Sequence, residues 1–247
     1  MVVYSLTDIT EQKYLQQRND RFMSMASHEL KTPVTTIKTL VQLLELQYKN
    51  GDDKTLVEYL STIGQQIDQL TKLVTDLLDV SKIKADKFSV EHKIFDFDPL
   101  LAETIKSCQL LSPEHPIRIH GKTNAQFFGD QNSISRVFIN LITNAIKYSP
   151  DATDIAVRVS VASGHVQVAI EDHGVGIAKE HQHMIFERFY QVGNDSGQSL
   201  SGLGIGLHIA SAVVAEHGGR IWVESEGEGK GSIFYFTLPI YQPESKT

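Results

Sequence analysis

The sequence has 247 residues, of which 41% are hydrophobic and 21% charged, the balance of an ordinary globular protein of one or two domains. Its net charge of -7 argues against a general nucleic-acid binder, which is usually basic. A single cysteine, Cys108, excludes an internal disulfide and a cysteine-based zinc cluster. No apolar run is long enough to cross a membrane and no signal-peptide pattern is present, so we expect a cytoplasmic chain. The alternative is that it is the soluble part of a longer, membrane-attached protein.

The first twenty residues predict a short strand followed by the start of a helix. Residues 2–9 read as a strand that has no partner nearby, and such a strand is marginal by itself. The string LTDITEQK at residues 6–13 is similar to the last strand and exit of a PAS sensor domain. This resemblance implies that residues 1–20 lead from an upstream sensor domain into a signalling helix. The alternative is an ordinary N-terminal tail.

Two long segments, 10–48 and 54–85, predict helices with a heptad seam. Both are rich in good helix formers, and their apolar residues recur at alternating steps of three and four. The turn signal Asn50–Asp53 between them predicts an antiparallel hairpin. A hairpin leaves part of each seam uncovered, so we expect a homodimer in which these two helices from each copy form a four-helix bundle. The alternative is a larger bundle within one chain, although no further seamed helices follow.

The remainder of the chain predicts a different architecture, so the fold class is α + α/β. A linker at residues 87–98 leads into helices and alternating strands that extend over residues 99–240, with a tail at 241–247. This pattern favours an α/β sandwich in which helices cover one face of a single mixed sheet. Asp130 is a natural N-cap for the second helix of this part.

That helix carries a polar stripe in otherwise apolar surroundings. Asn140, Asn144 and Lys147 lie at positions i, i+4 and i+7 and therefore share one helix face. Amide oxygens suit a hard cation such as Mg²⁺ that also holds phosphates. The alternative interpretation is an exposed polar face.

Two glycine-rich strings follow. In the first, Asp172, Gly174 and Gly176 come directly after a strand, where the glycines allow a close approach and the carboxylate can accept from an exocyclic amine. In the second, glycines at 202, 204 and 206 lead into a helix predicted over residues 203–217, and a helix N-terminus binds phosphate well. Between them, Phe186 and Phe189 would anchor a polar loop that acts as a lid. Each string alone also fits an ordinary turn.

A histidine motif lies early in the first long helix. His28 flanks the seam, and its neutral imidazole is a nucleophile near pH 7. Glu29 can accept the proton from the second ring nitrogen. Thr32, one turn on, shares the face of His28 and could orient a water molecule, while Pro33 removes a backbone donor and favours a bend. An isolated histidine on a helix is more often a plain surface or core residue.

Taken together and in this order, the motifs resemble the sensor histidine kinases, which carry a gyrase-type ATP-binding domain. The resemblance covers residues 20–240 and implies a dimerisation and histidine phosphotransfer domain at 21–86 and a catalytic domain at 99–240. It implies ATP and Mg²⁺ as cofactors, with Asn144 on the metal, Asn140 and Lys147 on the phosphates, and Asp172 on adenine. The other nucleotide-binding residues that it implies are Tyr148, Gly174, Gly176, Ile177, Phe186, Arg188, Phe189, Gly202, Leu203, Gly204, Gly206, Leu207 and Thr237.

The implied activity is autophosphorylation of His28 from ATP, followed by transfer to an aspartate of a response regulator. Thr32 is the position to which the family assigns dephosphorylation of that partner. One departure is Gln191, where many members carry an arginine, so the cation near the γ-phosphate would be Arg188 or Lys147. Two alternatives are an inactive scaffold of the same family and a clamp ATPase of the gyrase type. The latter generally has a glutamate at the position of Asn140.

Overall fold

A computed structural model describes residues 8–48, 54–84, 92–151, 154–192 and 203–242. The strand predicted at residues 2–9 lies almost wholly outside these ranges, and Gly202 lies outside them too. The chain divides into a helical unit and an α/β unit, which are described separately. Within the described ranges, none of the helices combines the length and apolar character that a membrane span requires.

The helical unit confirms the predicted hairpin of two long helices. Helix α1 is Thr10–Tyr48 and helix α2 is Lys54–Lys84. Helix α1 continues through Pro33. In the stretch around this proline, the hydroxyls of Thr32, Thr35, Thr36 and Thr39 each donate to the carbonyl four residues earlier. Such bonds satisfy the hydroxyls within the helix and tend to bend it.

In its described residues, the α/β unit contains three helices and seven strands. In chain order they are β1 (Lys93–Asp96), α3 (Phe97–Leu111), β2 (Ile117–His120), β3 (Gln126–Gly129), α4 (Gln131–Tyr148), β4 (Ile155–Ala162), β5 (His165–Asp172), α5 (Gly206–Glu216), β6 (Arg220–Glu224) and β7 (Ser232–Pro239).

A five-stranded sheet has the order β2-β4-β5-β7-β6. Among the described strands of this sheet, β2 and β4 alone pair in parallel, which confirms the predicted mixed sheet. The register places Asp172, the last residue of β5, opposite Ser232, the first residue of β7. Strands β1 and β3 form a separate antiparallel pair.

One face of the large sheet packs against the helices. Alternate residues of β4, β5 and β7 are buried there, as the period of two requires. Phe138 of α4 is completely buried and contacts Phe236 of β7 edge-on, with ring centroids 5.2 Å apart. The Phe97 ring of α3 also contacts Phe138, with ring centroids 5.7 Å apart. Truncating such a residue to alanine costs about 3–5 kcal/mol, so this contact fixes α4 on the sheet.

The ends of the helices follow local chemistry. Asp130 caps α4 as predicted, since its Oδ1 accepts from the Ser133 N–H at 3.0 Å. Asp98 in the first turn of α3 accepts from the Thr123 hydroxyl at 2.8 Å and the Asn124 N–H at 2.9 Å. Burial alone would raise the pKa of Asp98, but these hydrogen bonds, together with the charge of Lys122, lower it below its ordinary value.

The predicted start of the last helix was wrong. Helix α5 begins at Gly206, three residues later than expected. Gly204 has a φ of 65°, a left-handed conformation that an α-helix cannot include.

Candidate functional site

The carboxylate of Asp172 lies at the end of β5 and is only 4% exposed. Its Oδ1 accepts from the Gly174 N–H at 2.9 Å and from the Ser149 hydroxyl at 3.3 Å. Its Oδ2 accepts from the hydroxyl of Ser232. A buried carboxylate needs such donors because it has lost its hydration.

These contacts leave one accepting position. An ionised carboxylate can accept at about four positions. Within the described part of the chain, two donors use Oδ1 of Asp172 and one uses Oδ2. Oδ2 can therefore accept one further N–H from a ligand. Ser149 and Ser232, which hold the carboxylate in place, were not predicted as site residues.

The two glycines after Asp172 allow the loop to pack against neighbouring backbone. A Cβ on Gly174 would lie 2.0 Å from the Tyr148 carbonyl oxygen, and one on Gly176 would lie 2.0 Å from the Gly227 carbonyl oxygen. Gly176 also has a φ of 69°. The Val175 N–H donates to the Tyr148 carbonyl at 3.0 Å, so the loop is bonded to the C-terminal end of α4.

The same loop is held from its other side by the turn between β6 and β7. The Ile177 N–H donates to the Ser225 hydroxyl at 3.0 Å. The Gly231 N–H donates to the Gly174 carbonyl at 3.1 Å. The loop that carries Asp172 is therefore fixed by backbone bonds to α4 and to this turn, and a rigid carboxylate of this kind suits selective recognition.

The polar stripe of α4 faces the start of α5. Asn140 Nδ2 donates to the Gly206 carbonyl at 3.1 Å, which identifies Oδ1 as the accepting atom of this amide. A Cβ on Gly206 would lie 3.5 Å from that Oδ1, an ordinary contact. Asn144 is half-buried one turn further along α4. The fold thus brings the Asn140 side chain to the start of α5, while the predicted roles of Asn140 and Asn144 stay predictions.

Lys147 and Tyr148 form a pair at the C-terminal end of α4. The Lys147 ammonium donates to the Tyr148 hydroxyl at 3.1 Å and lies 4.7 Å from the ring centroid. Because the Tyr148 carbonyl also accepts from the Asp172 loop, this pair lies beside the carboxylate site. Lys147 itself is exposed.

The aromatic motif at residues 186–189 follows the Asp172 loop in the chain and is bonded to the segment before α5. The Phe186 ring contacts Phe234 edge-on at 6.3 Å, which ties the motif to the sheet. The Arg188 guanidinium lies 4.7 Å from the centroid of the buried Phe189 ring. The Phe189 N–H donates to the Gly204 carbonyl at 3.0 Å.

Three further predicted site residues come just before α5 or in its first turn. Leu203 is buried, and Leu207 is half-buried in the first turn of α5. Gly202 lies outside the described residues, so its expected contact with phosphate stays a prediction.

Thr237 does not join this cluster, contrary to expectation. Strand residues alternate between faces, so Ser232 faces the helices and Thr237, five residues on, faces away from them. The Thr237 hydroxyl accepts from the Arg220 N–H at 3.2 Å on the neighbouring strand. The fold separates Thr237 from Asp172 and places Ser232 beside that carboxylate instead.

The histidine motif lies on α1 in the helical unit. His28 and Thr32 are exposed, and Glu29 is half-buried. The Thr32 hydroxyl donates to the His28 carbonyl at 3.1 Å, so it keeps its oxygen lone pairs for accepting. An exposed imidazole beside a carboxylate can act as a nucleophile with a nearby base.

Comparison with known proteins matches both units to protein families. Residues 18–86 match the His Kinase A (phospho-acceptor) domain. Residues 129–242 match the histidine kinase-, DNA gyrase B- and HSP90-like ATPases. The solved structure of the histidine kinase AdeS of Acinetobacter baumannii is 25% identical, with a TM-score of 0.63, and the match covers 87% of this chain and 98% of that one.

Two curated relatives match almost the whole chain. The sensor histidine kinase WalK of Bacillus subtilis (strain 168) is 31% identical over 242 residues, which are 96% of this chain and 39% of that protein. A WalK sensor protein kinase of Staphylococcus aureus is 31% identical over 237 residues, 95% of this chain and 57% of that protein. The chain therefore spans about two fifths to three fifths of these relatives. Its paired phospho-acceptor and ATPase domains, with relatives that match both, show that the chain belongs to the sensor histidine kinases.

Proposed function

We propose that this chain transfers the γ-phosphoryl group of ATP to His28 and then to an aspartate of a response-regulator receiver domain. The observation that carries the proposal is that one chain contains both an exposed histidine, in a phospho-acceptor domain, and the rigidly held carboxylate of Asp172, in an ATPase domain. Phosphohistidine is a high-energy intermediate that suits onward transfer. We propose a cytoplasmic location for this activity, because ATP is available there.

Asp172 is the residue proposed to select adenine. Its Oδ2 has an accepting position to spare among its described contacts, and the exocyclic amine of adenine is a suitable donor. Guanine presents a carbonyl oxygen at the equivalent ring position, which the carboxylate would repel. The site therefore favours ATP over GTP.

The phosphates are proposed to lie between α4 and the N-terminus of α5. Backbone N–H groups at a helix start attract anions. Asn140, which is bonded to Gly206 there, and Lys147, two turns further along α4, would add polar and charged groups. The amide oxygen of Asn144 suits Mg²⁺, which when bound would neutralise charge on the triphosphate. Many family members have an arginine at the position of Gln191. In this chain Arg188 or Lys147 would approach the γ-phosphate instead.

The transfer to His28 is proposed to run in line. One ring nitrogen attacks the γ-phosphorus, and the nitrogen–phosphorus bond forms as the bond to the bridging oxygen breaks. ADP leaves with the electron pair of that oxygen. The second ring nitrogen gives its proton to Glu29, which is half-buried beside His28.

Thr32 is proposed to reverse the signal on the partner protein. Its hydroxyl donates within the helix, and its oxygen can still accept from a water molecule aimed at an aspartyl phosphate. Thr32→Ala should leave autophosphorylation intact and slow dephosphorylation of the regulator. Equal loss of both activities would contradict this separate role.

The active form is proposed to be a homodimer. Alternate seam positions differ in exposure within a single copy: Leu30 and Ile37 are half-buried, whereas Val34 is 51% and Val41 is 41% exposed. In α2 the exposed seam residues are Leu60, Ile67 and Val74, at 53%, 48% and 44%. A stripe of this kind in both helices of a heptad hairpin is covered when a second hairpin packs on it.

The boundaries predicted from sequence are retained as part of this proposal. Residues 21–86 would form the dimerisation and phosphotransfer domain and residues 99–240 the ATP-binding domain, joined by a linker at 87–98. Residues 1–20 would receive the signal from an upstream sensor domain. The negative net charge supports protein partners over nucleic acid.

Two rival functions predict different products. A clamp ATPase would release phosphate without modifying the protein, but Asn140 is an amide and cannot be the base that activates water. An inactive scaffold would not bind ATP, yet Asp172 keeps its full set of supporting donors. Incubation with Mg·ATP and measurement of protein-bound and free phosphate separates the three. Phosphate released without any protein-bound phosphate would refute the kinase proposal.

A further inference from the structure

A buried histidine outside every recognised motif lies between the C-terminal ends of α3 and α4. His115 is 5% exposed. Its Nε2 lies 2.9 Å from the Ser149 carbonyl oxygen, and its Nδ1 lies 2.8 Å from the Ser112 hydroxyl. Ser112 and Ser149 are themselves 3% and 1% exposed, and each is the C-cap residue of its helix.

The proton positions on this imidazole follow from its partners. The Ser149 carbonyl can only accept, so Nε2 of His115 carries a hydrogen and donates. Nδ1 either accepts from the Ser112 hydroxyl or, when protonated, donates to it while Ser112 donates to Glu114 at 2.8 Å. The bond to Ser149 is kept in both protonation states.

The turn that carries His115 is held by the side chain of Gln109. Its Nε2 donates to the Ser112 carbonyl at 3.0 Å and to the His115 carbonyl at 3.1 Å, and its Oε1 accepts from the Ile117 N–H at 2.8 Å. These three bonds fix the backbone on both sides of His115. The imidazole therefore forms a rigid link, here called the strut, that connects the turn to the end of α4 through the hydrogen bond to Ser149.

We propose that His115 is a positioning residue for nucleotide binding, acting through Ser149 on Asp172. By holding the Ser149 carbonyl, it orients the residue whose hydroxyl donates to Asp172 Oδ1 at 3.3 Å. The inference rests on the proposed function, in which that carboxylate selects adenine. Loss of the strut would leave the buried Ser149 carbonyl without this donor and free the serine to turn away from Asp172.

The test compares His115→Leu, which removes the donor, with His115→Gln, whose amide can donate near the position of Nε2. Dissociation constants for Mg·ATP and Mg·GTP and the KM and kcat of autophosphorylation would be measured on folded protein. We expect His115→Leu to weaken ATP binding about tenfold and reduce the ATP-to-GTP preference, with kcat at saturating ATP little changed. His115→Gln should recover most of the affinity.

Three controls make each result decisive. His120→Leu, at an exposed position of β2, should leave nucleotide binding unchanged. If His115→Leu does not fold, Ser149→Ala removes only the hydroxyl link and should show the same loss of ATP preference. Wild-type affinity and preference in a folded His115→Leu protein, or in Ser149→Ala, would overturn the inference. If Asp172→Asn also binds ATP normally, the proposed adenine site itself fails.

Discussion

Replacing Gly174 with alanine would force apart two elements that meet at the candidate nucleotide site. The new Cβ would lie 2.0 Å from the Tyr148 carbonyl oxygen and 2.5 Å from the Ser149 hydroxyl. Both atoms lie at the end of α4, and the first belongs to the backbone, so the loop has to move away by more than an ångström.

The loss in the free energy of unfolding follows from the contacts that this movement weakens. The Val175 N–H bond to Tyr148 at 3.0 Å contributes about 1 kcal/mol, and the Gly174 N–H bond to the charged Asp172 at 2.9 Å contributes about 1.5–3 kcal/mol. Partial relaxation would retain some of each, while residual overpacking costs about 1–3 kcal/mol. We expect the free energy of unfolding to fall by about 2–4 kcal/mol.

Urea unfolding of the α/β unit and calorimetric titration with Mg·ATP measure the two consequences. Because Asp172 moves with its loop, ATP affinity should fall at least tenfold, in addition to the lower stability. Gly164→Ala is a control in the turn between β4 and β5: its φ of 76° strains an alanine there, which is not the case at Gly174, but the nearest atom is 3.8 Å away, so the new Cβ meets no neighbour. It should lower stability by about 1 kcal/mol and leave ATP binding unchanged. Normal ATP affinity in Gly174→Ala would refute this account of the site.

Three further predictions concern the metal, the dimer and pH. Asn144→Ala should abolish autophosphorylation by weakening Mg·ATP binding, while light scattering still reports a dimer. Phosphorylation of this variant by ATP would contradict the metal-binding role of Asn144. Ile67→Asp should convert the dimer to a monomer by light scattering, raising the dissociation constant at least a hundredfold, since each copy loses about 1.5–3 kcal/mol of burial, whereas the exposed Gln69→Asp should not. The pKa of Asp98 is lowered on folding, so its carboxylate contributes stability above its unfolded pKa and loses it as the pH falls through the folded pKa. Urea unfolding of Asp98→Asn should therefore differ from wild type near pH 7 and converge with it in acid; a constant difference would exclude the ionised form as the cause.

Much of the fold followed from local pattern. The heptad steps predicted α1 and α2 because a helix buries one side, and strand alternation predicted a sheet with one covered face. Asp130 is predictable as an N-cap because aspartate is favoured at a helix start, and its side chain bonds within its own turn, to Ser133. Features of this kind depend on neighbours along the chain, which a sequence displays directly.

The supporting parts of the site depend on contacts between distant segments. Ser232 meets Asp172 only because β7 pairs with β5 in one register, and Ser149 meets it because α4 ends at that point. The same register explains the error at Thr237. Ser232 pairs with Asp172, and Thr237 lies five residues further along β7, so its side chain is on the opposite face of the sheet. His115 lies 34 residues from Ser149 in the chain, and nothing local marks it.

The identity of the phosphorylated residue is the most direct test of the account. Incubation with γ-labelled ATP and Mg²⁺, followed by acid and by alkali, should give a protein-bound label that is lost in acid and retained in alkali. His28→Gln should remove this label while ATP still binds and the protein remains a dimer. A label that survives this substitution, or one that is stable in acid, would contradict the assignment of His28 as the phosphate acceptor.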